Sequence, residues 1–78
     1  MTINDLGRIL NNMYDDAING DKVVMVHLFG IKYANEIKNQ NYSIKDIIKS
    51  SKLNESYSTE LSKGIKLSKY VELKNDSK

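Results

Sequence analysis

Apolar residues at the start of the chain recur at intervals of three and four positions. They are Ile3, Leu6, Ile9, Leu10, Met13, Tyr14, Ala17 and Ile18. This spacing places them on one face of an α-helix, and we predict a helix over residues 3–18 that ends at Asn19-Gly20. Thr2 and Asp5 have the spacing of a capping box, in which each side chain bonds the backbone N–H of the other residue.

The segment 23–29 is the most apolar part of the chain, and its β-branched residues also suit a buried strand. Nothing else alternates with period two, so a strand here would lack a partner, and the helical spacing continues to Ile37. We therefore predict a helix over residues 22–38, bent or broken at Gly30. Its apolar coverage is typical of a helix surrounded by others.

Gly7 lies inside the first predicted helix, where glycine costs about 1 kcal/mol relative to alanine. Either a neighbour packs closely against it or this cost is tolerated.

Two short helices are predicted in the second half of the chain. Ser43 can cap the first of them, and Asn54 can cap the second, which covers residues 55–63 and stops at Gly64. Apolar residues within 65–73 indicate one more helix laid across the first, and residues 75–78 are expected to be frayed. We predict one all-α domain over residues 1–74, a bundle of four to five short helices containing a helix-turn-helix at about residues 44–63.

Charge is unevenly distributed along the chain. The net charge is −2 over residues 1–36 and +4 over residues 37–78, so an anionic partner is expected to bind the second half. The other explanation for the lysines is that they cover solvated helix faces, since acidic residues are interspersed among them.

Without cysteine the chain forms no disulfide or thiolate metal site. It also lacks a long apolar run and a signal-peptide pattern, and we expect a cytoplasmic protein.

Four positions match the spacing of a known DNA-binding pattern. Leu53, Ser58, Leu61 and Gly64 fall at offsets 0, +5, +8 and +11. In this respect residues 52–64 resemble the turn and recognition helix of the Xre-like helix-turn-helix domains of phage repressors. Ser58 departs from the family's preference for an apolar residue. Glu60 stands where a basic or amide residue is usual, and would place a carboxylate on the face that meets DNA.

A second resemblance extends over the whole chain. Residues 27–34 (HLFGIKYA) and 61–71 (LSKGIKLSKYV) are similar to the helical, helix-turn-helix-like N-terminal head domain of ScoMcrA-type modification-dependent restriction endonucleases. This resemblance implies a phage, mobile-element or host-defence context and contact with DNA. It implies no catalytic residue, since the nuclease and the parts that read modified bases do not occur in these 78 residues.

The recognition-helix resemblance implies a DNA-contact surface in the second half of the chain. Hydroxyl groups there would bond base edges or phosphates, and lysines would contact phosphates. With Arg8 the only arginine and far away in sequence, no arginine–guanine pair is expected, so recognition would be weak or dimer-dependent. The candidate residues are Lys49, Lys52, Ser56, Tyr57, Thr59, Lys63, Lys66 and Lys69.

Other candidate chemistry has simpler explanations. His27 lies in the most apolar segment without a second histidine, so a hydrogen-bonded core or boundary role is favoured over metal or proton chemistry. Asp15 and Asp16 are adjacent and would point about 100° apart on a helix, which does not make a carboxylate pair. Three of the six aromatic residues, Tyr14, Phe29 and Tyr33, fall on or beside core faces, which favours core packing over a base-stacking set. We predict no enzymatic activity, no cofactor, no metal and no small-molecule substrate.

Two classes of function therefore remain open. The first is a non-catalytic DNA-binding module that uses the basic second half. The second is a small adaptor or inhibitor with the same helices, which occupies a protein partner or a second copy of itself and binds no DNA.

Overall fold

A computed structural model describes residues 1–74, and this part of the chain forms four α-helices and no β-strand. The predicted all-α class is confirmed, and residues 23–29 are helical. The tail predicted to be frayed, residues 75–78, lies outside the described residues. No helix within residues 1–74 has both the length and the apolar character needed to cross a membrane. The helices are α1 (Ile3–Asp16), α2 (Lys22–Asn39), α3 (Ile44–Ser51) and α4 (Tyr57–Leu67).

Side chains beside the helix ends fix where α1 and α3 begin. Thr2 Oγ1 accepts a hydrogen bond from the N–H of Asp5 at 3.1 Å, and a carboxylate oxygen of Asp5 accepts one from the N–H of Thr2 at 3.0 Å. This is the predicted capping box, completed here by an aspartate. At the start of α3, Ser43 Oγ accepts from the N–H of Asp46 at 3.3 Å. Both starts are encoded locally, because these bonds satisfy backbone donors that a helix leaves unpaired.

The four helices enclose one core. Helices α1 and α4 each pack against both α2 and α3, and the contact between α2 and α4 is the most extensive. Each fully buried aliphatic or aromatic side chain contributes about 1.5–3 kcal/mol relative to an exposed one. All four helices contribute to the core, which contains Leu6, Leu10, Val26, Phe29, Ile37, Ile47, Ile48 and Leu61.

Gly30 and Gly64 allow α2 and α4 to approach closely. A Cβ atom on Gly64 would lie 2.5 Å from the carbonyl oxygen of His27, and one on Gly30 would lie 2.9 Å from the backbone of Gly64. The predicted break at Gly30 is wrong, since α2 runs through it, and the predicted helix end at Gly64 is wrong, since α4 continues to Leu67. Both glycines are required by the close approach of a second helix, and neither forms a turn.

Gly7 permits a similar close contact between α1 and α3. A Cβ atom on Gly7 would lie 2.5 Å from Oγ and 2.8 Å from the carbonyl carbon of Ser50. Of the two explanations for this glycine, the structure supports the closely packed neighbour. The Ser50 hydroxyl also donates a hydrogen bond to Asn4 Oδ1 at 3.1 Å, which holds the two helices in this register.

Several predicted helix ends and faces differ from the structure. Helix α1 ends at Asp16 instead of residue 18, and Ile18 is 73% exposed. Residues 65–67 complete α4, and residues 68–74 form no further helix. Val23 and Val24 are exposed, so α2 is not covered on every side as predicted. Apolar residues alone do not reveal burial, because much of a folded protein's accessible surface is itself apolar.

Candidate nucleic-acid interface

The connection between α3 and α4 is short and held by side-chain hydrogen bonds. Ser51 Oγ accepts from the N–H of Leu53 at 3.1 Å, and Asn54 Oδ1 accepts from the N–H of Ser56 at 2.9 Å. Leu53 is half-buried against the core and Leu61 is fully buried. These two leucines therefore anchor α4 and the connection before it to the core. Because Leu61 faces inward, the opposite side of α4 is directed at solvent.

An open groove of about 450 Å³ lies between the start of α3 and this outer side of α4. Lysines from both helices line it, and all of them are exposed. Side-chain hydroxyl groups of α4 lie between the lysines. We call this feature the basic groove. Its lining residues are Ile44, Lys45, Ser58, Thr59, Ser62, Lys63 and Lys66.

Two more exposed lysines follow Lys45 along the chain. Lys49 is four positions after Lys45 on α3, which is the spacing of neighbours on one helix face, and Lys52 is the residue directly after the helix. Lys52 ends α3 in the left-handed region, with φ +67°. The sequence prediction omits Lys45. Its place four residues before Lys49 was the available signal, but only the packing of α3 against α4 brings it to Lys63 and Lys66.

The remaining predicted contact residues have different surroundings. Ser56 and Lys69 are exposed at the two ends of α4. Tyr57 is half-buried, and its hydroxyl lies 2.8 Å from the hydroxyl of Tyr14, with the two rings edge to face at 5.2 Å. The hydrogen bond between the two hydroxyl groups raises the pKa of Tyr57. Tyr57 therefore connects α1 to α4, which the spacing of residues along the chain does not indicate.

Glu60 is turned away from the outer side of α4, contrary to the prediction that it faces DNA. Its Oε1 lies 2.6 Å from Nε2 of His27, and its Oε2 lies 3.6 Å from Nζ of Lys63. The hydrogen bond from His27 and, to a smaller extent, the charge of Lys63 hold the pKa of Glu60 below its usual value. His27 has the predicted role of a hydrogen-bonded boundary histidine. The carboxylate thus pairs with α2, and no acidic residue is among those that line the basic groove.

The other candidates from the sequence are not among the residues that line the basic groove. Asp15 and Asp16 are both exposed in the last turn of α1. Phe29 is buried and Tyr33 half-buried, with ring centroids 5.0 Å apart, so their rings pack against each other. Among the residues that the structure describes, no group of three or more histidine, cysteine, aspartate or glutamate side chains is placed to hold a metal ion.

Fold and surface together define a small helical module of the helix-turn-helix-like class. A short helix, a tight connection and a second helix anchored by a buried leucine present one open face. The model of the family described as "HTH-like domain" matches residues 2–74. The chain belongs to this family, whose members are generally non-catalytic. No curated protein and no solved structure gives a significant match.

Proposed function

We propose that this chain is a DNA-binding module that places the outer side of α4 against duplex DNA. The observation that supports the proposal most directly is the basic groove, where Lys45 of α3 meets Lys63 and Lys66 of α4. Three cations on one open surface match the spaced negative charges of a phosphate backbone. Helix α4 is the element that corresponds to a recognition helix.

Each part of the surface has a distinct role in this proposal. Lys45, Lys63 and Lys66 contact phosphates from the basic groove. The hydroxyl groups of Ser56 and Thr59 bond phosphates or base edges. The lysines that flank the groove add electrostatic attraction over a longer stretch of backbone. They are Lys49, Lys52 and Lys69.

Affinity in this proposal comes from charge more than from base recognition. Lysine is a point charge and lacks the bidentate fork with which arginine pairs with guanine. Arg8 lies on α1, where it contacts Asp5 at 3.4 Å. We therefore expect binding that tolerates changes of DNA sequence and weakens steeply with salt.

A salt titration of duplex binding tests the proposal. The variant K63Q/K66Q should lower the slope of log affinity against log salt by about 1.8, at about 0.9 per lost phosphate contact. The matched control is K32Q/K38Q, which removes the same charge from two exposed positions of α2 outside the groove. Its slope should equal that of the unmodified protein. Salt-independent binding, or equal losses in both variants, would contradict the proposed surface.

The biological setting is part of the proposal. The resemblance of residues 27–34 and 61–71 to the head domain of ScoMcrA-type endonucleases favours a phage, mobile-element or host-defence role. The Xre-like spacing from Leu53 to Gly64 favours phage-repressor relatives. Genes for restriction, modification or phage functions beside the coding gene would support this setting, and unrelated neighbours would count against it.

A specific observation also favours the second candidate, a protein-interaction module. Ile18, Val23 and Val24 are exposed within seven consecutive residues, and exposed apolar groups of this kind are suited to contact with a partner or a second copy. Sedimentation equilibrium of the unmodified protein and of Val24→Glu tests self-association. A dimer that Val24→Glu dissociates, together with absent duplex binding, would favour this candidate over DNA binding.

A further inference from the structure

A second groove, of about 300 Å³, lies on the other side of the lysines that line the basic groove. Its lining is almost wholly apolar, and we call it the ring groove because two side-chain rings form part of it. His27 of α2 and Tyr70, just after α4, supply the rings, and Leu67 lies between them in the lining. Lys63 and Lys66 complete it.

Within residues 1–74, Tyr70 has no packing role that would explain its position. Its side chain is 83% exposed, and neighbouring Leu67 is 41% exposed. Tyr14 and Tyr57, by contrast, are half-buried, and their hydroxyl groups form a hydrogen bond with each other. A flat aromatic surface open to solvent beside cations is the combination with which proteins stack unpaired bases.

Lys63 and Lys66 connect the two grooves. Both residues line the basic groove and the ring groove, so a phosphate held by either lysine has an apolar ring surface on one side. The carboxylate of Glu60 lies beside these two lysines, 3.6 Å from Nζ of Lys63. It is engaged by His27 and Lys63, which offsets its repulsion of a phosphate.

We infer that the ring groove binds one unpaired nucleobase, stacked on Tyr70, while Lys63 and Lys66 hold the adjoining phosphates. The volume supports a ligand of this size, because about 300 Å³ is at the lower end of the range for small-ligand pockets and is small for a docked helix. The inference rests on the proposed function in using the same two lysines. It adds a ligand class, single-stranded or locally unpaired nucleic acid.

Binding of a short oligothymidylate, compared with an abasic oligonucleotide of equal length, tests the inference. The two probes carry the same phosphates, so any difference reports the bases. In fluorescence anisotropy at fixed salt, the unmodified protein should prefer the oligothymidylate by roughly 5- to 150-fold, the range for stacking of one base. Tyr70→Ala should abolish this preference, and Tyr70→Phe, which keeps the ring face, should retain it.

Matched controls separate stacking from charge and from misfolding. Ile18→Ala removes another exposed apolar side chain outside the ring groove and should leave the preference unchanged. Lys66→Gln should weaken binding of both probes by a similar factor. Because Tyr70 is so exposed, circular dichroism of Tyr70→Ala should show an unchanged helical fold.

The outcomes distinguish this inference from the proposed function. Tyr70→Ala should bind duplex DNA as tightly as the unmodified protein does. Preference for oligothymidylate without duplex binding would support the ring groove and contradict the proposed function. Equal binding of the two probes, or an unchanged preference in Tyr70→Ala, would overturn the inference. Tyr70-dependent binding of an acidic amphipathic peptide, with no base preference, would overturn it in favour of a protein-docking groove.

Discussion

The substitution Gly64→Ala tests the contact between α2 and α4, the two helices that supply most of the lining of the ring groove. The added Cβ atom would lie 2.5 Å from the carbonyl oxygen and 3.0 Å from the Cα of His27. Ordinary contacts begin near 3.4 Å, so the backbones would have to separate by about 0.9 Å at this point. Both colliding atoms belong to the backbone of a helix, which yields less readily than a side chain.

The expected loss of stability follows from two opposing terms. Overpacking a core by one methyl group costs about 1–3 kcal/mol, and a backbone collision belongs in the upper part of that range. In the opposite direction, alanine stabilises a helix by about 1 kcal/mol relative to glycine through its higher helix propensity. The net result is a loss of about 1–2 kcal/mol, which lowers the melting temperature by about 4–16 °C in a domain of this size.

Thermal and urea unfolding, followed by circular dichroism, measure this effect. Asn35→Ala is the matched control, because Asn35 is an exposed residue within α2 and its replacement tests helix propensity without a collision. It should raise stability by a few tenths of a kcal/mol. If Gly64→Ala were as stable as the unmodified protein or more so, the close crossing of α2 and α4 would be refuted.

Three further predictions concern local features. Thr2→Ala should cost about 1 kcal/mol in urea unfolding, because the N–H of Asp5 loses its acceptor; no loss would show that the capping box is unimportant. Lys52→Gly should raise stability by about 1 kcal/mol, because glycine accepts a φ of +67° without the strain of a side chain, and reduced stability would contradict this. The hydrogen bond from His27 lowers the pKa of Glu60 below 4.5, so the stability it contributes is complete above about pH 4.5 and is lost as the pH falls through the lowered pKa. Glu60→Gln should therefore lose less stability than the unmodified protein between about pH 5 and about pH 3, and parallel losses would contradict the assignment.

Features that depend on neighbours along the chain were predictable from the sequence. Apolar spacing of three and four positions predicts helices because side chains so spaced share one face. The capping pair Thr2 and Asp5 is recognisable because three residues bring each side chain to the other's backbone. Lys63 and Lys66 were identified as neighbours for the same reason, since they lie three positions apart on α4.

Features that depend on contacts between helices needed the tertiary structure. Gly64 has the sequence signature of a helix end, yet it lies inside α4, because the requirement for glycine comes from the backbone of α2. Glu60 faces His27, 33 positions away, and no spacing rule along one helix indicates such a partner. Lys45 reaches the basic groove through the angle between α3 and α4.

The sequence by itself thus determined the helical class, the starts of α1, α2 and α3, and the basic character of the second half. The predicted start of α4 at residue 55 with Asn54 as its cap is wrong, since α4 begins at Tyr57 and has no side-chain cap bond. Periodicity and capping act over a few residues, and the chain encodes them directly. The crossing of α2 and α4, the pairing of Glu60 and the two grooves on either side of Lys63 and Lys66 were decided only by tertiary structure. Their physical cause is packing between helices that are distant in sequence, where backbone separation and side-chain direction are set by the whole core.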